Sequence, residues 1–187
     1  MNEAAAALEA AVATLVAGGV LAYPTEAVYG IGCDPWQPAA LARVRDIKQR
    51  PAAQGFILLV PEVDAALALI GEIPAAQRVQ MQRDWPGPYT WVCPAGPGVP
   101  PGVQAEDGTI ALRVSAHPLA AALVRRFGRP LVSTSANRRG ATPARTAVEV
   151  EHALGRLIDF TLPGSTDPSA APTTIRDARD GRLLRGS

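Results

Sequence analysis

The sequence predicts an α/β protein, a mixed sheet with helices packed on it. Three observations carry that. Apolar runs of strand length (VLAY, GFILLV, YTWVC, TIALRV, PLVST) are interleaved with stretches of helical spacing. Proline and glycine clusters mark the boundaries between them. The tail reads LIDFTL, then TTIRD and RLLR joined by the turn dipeptide Asp180-Gly181, strands too closely spaced for a purely parallel sheet.

Taken in order, MNEAAAALEAAVATLVAGG has helical spacing and ends at Gly18-Gly19, glycines suited to a left-handed C-terminal cap. VLAY is a buried strand running into Pro24-Thr25-Glu26. After Asp34-Pro35, the spacing of Leu41, Val44 and Ile47 predicts a second helix that carries Lys48-Gln49-Arg50 at its end and stops at Pro51. GFILLV is the next strand, followed by helical stretches near 62–71 and 74–84, the second closing at Trp85-Pro86-Gly87-Pro88. YTWVC and TIALRV flank a Pro/Gly-rich loop. A helix near 117–127 leads to PLVST, and helical spacing returns over Thr146 to Leu154.

At 187 residues the chain has the length of one domain, 1–187, with a real core. The formal charge of +1 excludes a broadly basic nucleic-acid binder, so any RNA contact needs a local patch. Cys33 and Cys93 lack C-x-x-C spacing, and only His117 and His152 could join them, which argues against a disulfide framework or a zinc site. The N-terminus has Glu3 and Glu9 and no basic start, unlike an export signal, and nothing reaches the length of a membrane span. The expected location is the cytoplasm.

One compositional fact is sharper. Of 18 Lys and Arg residues, 17 are arginine and Lys48 alone is lysine. An ammonium is a compact charge that can follow a phosphate or carboxylate, where a guanidinium is a planar fork. A solvated helix end explains Lys48 and Arg50 equally well when they are taken alone.

The common catalytic devices are absent: there is no G-x-x-x-x-G-K-[ST], G-x-G-x-x-G, G-x-S-x-G or H-E-x-x-H. What remains are short polar residues at the ends of buried strands, in AYPTE, TIALR and LVSTSAN. Such ends lie on the rim where open α/β sheets take their ligands. Each has a plainer alternative: Thr25 as the N-cap of a strand-to-helix turn, STSAN as a turn satisfying its own backbone, Arg113 on an exposed strand face. Together with Lys48 and Arg50 they form cations and small donors with no strong nucleophile, an inventory that positions and neutralises anions.

YPTEAVYGIGCDP, IKQRP with GFILLV, WPGPYTWVCPA, GTIALRVSAHPLAAAL, PLVSTSANRRGATPARTAVEV and TTIRDARDGRLLRG, in this order from about Val20 to Arg185, resemble the short bacterial TsaC/YrdC family of threonylcarbamoyl-AMP synthases. The most specific elements are K-x-R and S-x-N, here Lys48, Arg50, Ser135 and Asn137. The resemblance implies an open, twisted α/β sheet around a large concave cavity. It implies a reaction in which L-threonine, bicarbonate and ATP, with Mg²⁺, give threonylcarbamoyl-adenylate, pyrophosphate and water. The product serves the t⁶A modification at position 37 of tRNA, with TsaB, TsaD and TsaE as pathway partners and no membrane involved.

By motif matching, Lys48 and Arg50 meet the ATP phosphates and the carbamate, and Ser135 and Asn137 hold the α-phosphate region. Thr25, Arg113 and Ser133 hold L-threonine, with Arg113 opposite its carboxylate. Thr109 and Pro143 match nucleotide-side positions, and Arg185 on the tail reaches the nucleotide. No residue matches a metal ligand.

The sequence also departs from the longer relatives. Gln54-Gly55-Phe56-Ile57 stands where they carry Asn-Pro-Leu and a histidine, and their extra C-terminal domain is missing. Arg138 and Arg139, with Arg125, Arg126, Arg129 and Arg145, offer either a rim for tRNA or a solvated surface. The rival readings are an RNA-binding module for tRNA or double-stranded RNA, and a carbamoyl-transfer domain of the hydrogenase-maturation type.

Overall fold

The computed structural model describes residues 3–186. Helix α1 (Glu3–Val16) ends as its glycines predict, with Gly18 at φ +76 and its N–H bonded to Leu15 O. Strands β1 (Leu21–Pro24) and β2 (Tyr29–Gly32) then form an antiparallel hairpin. Thr25 is therefore no helix N-cap: its N–H and its hydroxyl both donate to Val28 O and close the hairpin turn. After α2 (Pro38–Lys48) come β3 (Ile57–Leu59), the short α3 (Val63–Leu67) and α4 (Ala75–Asp84). Strand β4 (Tyr89–Pro94), a 3-10 turn at Pro101–Val103, β5 (Thr109–Arg113), α5 (Pro118–Phe127) and β6 (Leu131–Ser135) follow. The chain closes with α6 (Ala147–Leu154), β7 (Phe160–Thr161), β8 (Thr174–Asp177) and β9 (Leu183–Arg185).

The strands join in the order β7-β1-β2-β6-β3-β5-β4-β8-β9. The pairs β7–β1, β3–β5 and β4–β8 are parallel and the others antiparallel, so the sheet is mixed. Gly32 lets β2 lie close to β6, since a Cβ there would sit 1.8 Å from Val132 O. No helix among the described residues is long and apolar enough to cross a membrane.

The two faces of the sheet are read from the alternation along β3 and β6. Leu58 pairs with Val132, and both enter the larger core with Val44 of α2, Met81 of α4 and Val150 of α6. Leu59 pairs with Leu131 on the opposite face, under Ala11 and Leu15 of α1 and Leu123 and Val124 of α5. Ile57 and Ser133, two residues along from that pair, share its face but are not among the residues packed beneath α1 and α5. The helical layer thus covers one part of this face. Further along the same strands, Ile57 and Ser133 line a concave cavity.

Candidate active site

The cavity has a volume of about 740 Å³, within the range of small-molecule sites. Its floor is a row of residues crossing the strands, small at Gly30, Ser135, Ser133 and Ala111 and aliphatic at Ile57 and Val92. A Cβ at Gly30 would sit 3.3 Å from the Tyr23 ring, so the floor is set low where β2 crosses it. Of the sequence-predicted residues, Thr25, Arg50, Thr109, Arg113, Ser133, Ser135, Pro143 and Arg185 line this cavity. Lys48 and Asn137 do not line it, and stand behind Ser135.

The end of α2 explains how Lys48 and Arg50 separate. Gln49 caps the helix in the left-handed conformation, φ 44 and ψ 45, and turns the chain so that two cations two residues apart face different partners. The Lys48 ammonium donates to Ser135 O (2.7 Å), Asn137 O (2.7 Å) and Asn137 Oδ1 (2.6 Å), with Ser135 Oγ at 3.3 Å. All four acceptors are neutral. Burial, with the charge of Arg50 added, pulls the Lys48 ammonium down to about 8. Arg50 donates from Nε and Nη2 to Gly55 O, and its guanidinium lies 5.0 Å from the Phe56 ring centroid. Burial first, then the neighbouring Arg45, lowers its pKa too.

The Ser135-x-Asn137 turn is self-braced. Ser135 Oγ donates to Asn137 Oδ1 at 2.6 Å, and Asn137 Nδ2 donates to Arg138 O and Ala141 O. Asn137 therefore acts as the knot of the loop that follows β6, and Ser135 as the hydroxyl this knot presents to the cavity.

At the other end, Arg113 is 7% exposed and its Nη2 forms an ion pair with Glu26 Oε2, while its Nε donates to Gly87 O at 3.3 Å. Glu26 Oε1 accepts from Ser115 Oγ (2.9 Å) and the N–H of Ala116 (3.0 Å). Burial pushes the Glu26 carboxyl up, but the Arg113 guanidinium and these hydrogen bonds outweigh it and hold the group below its ordinary value. Glu26 also borders a second hollow of about 650 Å³ with His117 and Asp167. The sequence singled out Thr25 and passed over Glu26, although the same strand-end position applied to both. Tyr29, also passed over, lines the cavity and donates its hydroxyl to Gly164 O at 2.7 Å.

On the remaining wall, Thr109 Oγ1 donates to Asp107 Oδ1 at 2.6 Å. Arg185, exposed on β9, donates to Thr173 O at 3.0 Å. Gln54, at the start of the stretch where the sequence departs from the pattern expected of longer relatives, lines the cavity. The six arginines of the suggested rim do not act as one group: Arg126 pairs with Glu9, Arg129 with Asp34, and Arg145 donates to Pro168 O. Burial pushes the Cys33 and Cys93 thiols up to about 12, so neither is a thiolate nucleophile near neutral pH. Among the described residues no three His, Cys, Asp or Glu side chains stand close enough to hold a metal ion.

A mixed sheet with an uncovered floor, hydroxyls on that floor and cations at its edge defines an α/β protein built to gather anionic small molecules. Residues 13–187 match the Sua5_yciO_yrdC family model, described as "Telomere recombination", and the chain belongs to that family. It is 49% identical over 180 residues to a Stenotrophomonas maltophilia protein named threonylcarbamoyl-AMP synthase, covering 95% of this chain and 97% of that one. A protein of the same name from Nitrosococcus oceani is 46% identical over 168 residues, covering 90% and 91%. The fold superposes on P. abyssi Sua5 complexed with L-threonine with a TM-score of 0.89 and 29% identity, covering 99% of this chain and 55% of that one. This chain thus spans little more than half of that Sua5 chain.

Proposed function

We propose that this protein is a threonylcarbamoyl-AMP synthase, a nucleotidyltransferase that joins L-threonine, bicarbonate and ATP into threonylcarbamoyl-adenylate, with release of pyrophosphate and water. The observation that carries the reading is Lys48. A half-buried ammonium is held by four neutral oxygens, and among the described residues no carboxylate pairs with it. Such a charge is costly until an anion arrives beside Ser135, and a nucleotide phosphate supplies that anion.

The neutral threonine amine bonds to the carbon of bicarbonate with loss of water and becomes a carbamate. The carbamate oxygen bonds to the α-phosphorus of ATP as the bond to the β-phosphate oxygen breaks. Every participant is anionic, so gathering them is the main work, and well-oriented reactants gain effective molarities of about 10⁵ to 10⁸ M. Arg50 at the cavity wall neutralises phosphate and carbamate oxygens. Ser135 turns its one hydroxyl proton from Asn137 Oδ1 to the α-phosphate region, while Lys48 goes on donating to Asn137 Oδ1 and charges the turn from behind. Thr25, Ser133 and Arg113 hold threonine, Arg113 opposite its carboxylate. Thr109, Pro143 and Arg185 border the nucleotide.

Mg²⁺ would travel with the nucleotide. Glu26 is the one carboxylate among the described residues lining the cavity, and it is committed to Arg113. Phosphate and water oxygens therefore supply the ion's ligands and no residue of this chain is assigned to it. The product enters tRNA t⁶A synthesis in the cytoplasm, with TsaB, TsaD and TsaE downstream and the tRNA as the eventual acceptor.

The test is pyrophosphate release and formation of an AMP-linked product from ATP, each expected to need both L-threonine and bicarbonate. Turnover without threonine would point to carbamoyl transfer, and RNA binding with no turnover to a binding module.

A further inference from the structure

Arg113 alone would suffice to bind a carboxylate. The structure places beside it a fixed anion, Glu26, whose Oε1 is held by Ser115 and the Ala116 N–H and whose Oε2 faces the guanidinium. Glu26 Oε2 and Arg113 Nη2 are buried and have no hydrogen-bonding partner besides this mutual ion pair, so the pair parts when a ligand engages those two atoms. An adjacent carboxylate weakens the capture of any plain anion, because it competes for the same donors. Its presence on the cavity wall therefore favours a ligand that carries a positive charge next to its negative one.

We propose that Glu26 is a specificity-determining residue that receives the ammonium of an α-amino acid while Arg113 takes its carboxylate, so that the pair reads a zwitterion. The proposal rests on the synthase reading of the cavity and adds to it the group that recognises the amine. One internal ion pair is exchanged for two with the ligand, and the net charge of the site stays zero before and after binding. Thr25, whose backbone precedes Glu26 in the same hairpin turn, and Ser133 on the floor line the same cavity. A β-hydroxy amino acid thus meets a hydroxyl partner as well as both charges.

The experiment compares L-threonine with 3-hydroxybutanoate, the same skeleton without its amine, by calorimetry on the full chain. Wild-type protein should bind threonine at least about tenfold more tightly, the worth of one charge-assisted contact. In Glu26→Gln the ratio should fall to within about threefold, with 3-hydroxybutanoate binding no worse than before because Arg113 is released. Glu26→Asp, which keeps the charge one methylene further back, should lie between these limits.

A parallel loss of both ligands in Glu26→Gln would mean that Glu26 only braces Arg113, and overturns the proposal. So does a wild-type protein that binds both ligands equally, or a Glu26→Asp ratio unchanged from wild type. Wild-type protein that makes the AMP-linked product yet shows no preference for the amine refutes this inference and leaves the synthase reading standing. Absence of turnover strikes the synthase reading itself.

Discussion

Replacing Lys48 by methionine keeps the length of the side chain and removes its charge and its donors. The effect on folding is expected to be small. Ser135 O keeps the N–H of Asn137, and Asn137 Oδ1 keeps the Ser135 hydroxyl, leaving Asn137 O as the acceptor that loses its short contact. An unsatisfied acceptor costs about 1–3 kcal/mol, and removal of a half-buried cation offsets part of that. The effect on catalysis is larger. The ammonium stands 3.3 Å behind Ser135 Oγ, so a phosphate oxygen bonded to that hydroxyl lies roughly 6 Å from the charge. At an effective dielectric near 20 that attraction is about 3 kcal/mol, or a fall of about 100-fold in kcat/KM for ATP. Steady-state pyrophosphate release with threonine and bicarbonate saturating, alongside near-UV circular dichroism, separates the two effects. Lys48→Arg should not rescue, because a planar fork cannot meet acceptors arranged around a single nitrogen. A folded Lys48→Met protein within about threefold of wild type would refute the reasoning.

Because burial lowers the Lys48 pKa to about 8, wild-type kcat/KM for ATP should decline as pH rises through that value, and the decline should vanish in Lys48→Met. In the same window, from about 8 to the ordinary lysine value near ~10.4, the unfolded chain binds the extra proton, so this residue alone makes folding more favourable as pH rises. Urea midpoints of the two proteins at a series of pH values check that sign. Gly32→Ala drives a methyl into the Val132 carbonyl and should cost more than ~3 kcal/mol in chemical denaturation, visible as loss of soluble protein. Thr146→Ala breaks the reciprocal cap in which Thr146 accepts from the Glu149 N–H and Glu149 accepts from the Thr146 N–H, at about 1 kcal/mol or ~2–4 °C in Tm. Activity measured below the melting range should be unchanged by that substitution.

The periodic elements were legible in the sequence because their signals are local. The glycine stop of α1, the helix ending at Lys48 and the hairpin around Asp180-Gly181 all depend on residues within a few positions of one another. Strand β2 was hidden because two of its four residues are glycine, a residue depleted in strands, and their use is explained only by distant neighbours, β6 beside Gly32 and the Tyr23 ring beside Gly30. Thr25 looked like a helix cap because a capping hydroxyl and a hairpin-closing hydroxyl are the same residue type, and the distinction lies in whether Val28 O comes back to meet it. The site was legible as an inventory and not as an arrangement. That Arg50 faces the cavity while Lys48 reaches behind Ser135 depends on the left-handed turn at Gln49, a residue with no sequence preference for that conformation. Glu26 was silent because its meaning comes from Arg113 and Ser115, some ninety positions away along the chain.

Strand β6 sends Val132 into the hydrophobic interior and Ser133 and Ser135 to the cavity, which Thr134 also borders near the strand's end. Chemistry and packing are thus written on alternate letters of one short word. Inserting a single residue ahead of Ser133 would turn both serine hydroxyls away from the cavity and bring the inserted residue and Thr134 to the positions they leave. A substitution in this strand alters one face of the sheet, whereas a change in its length alters both at once.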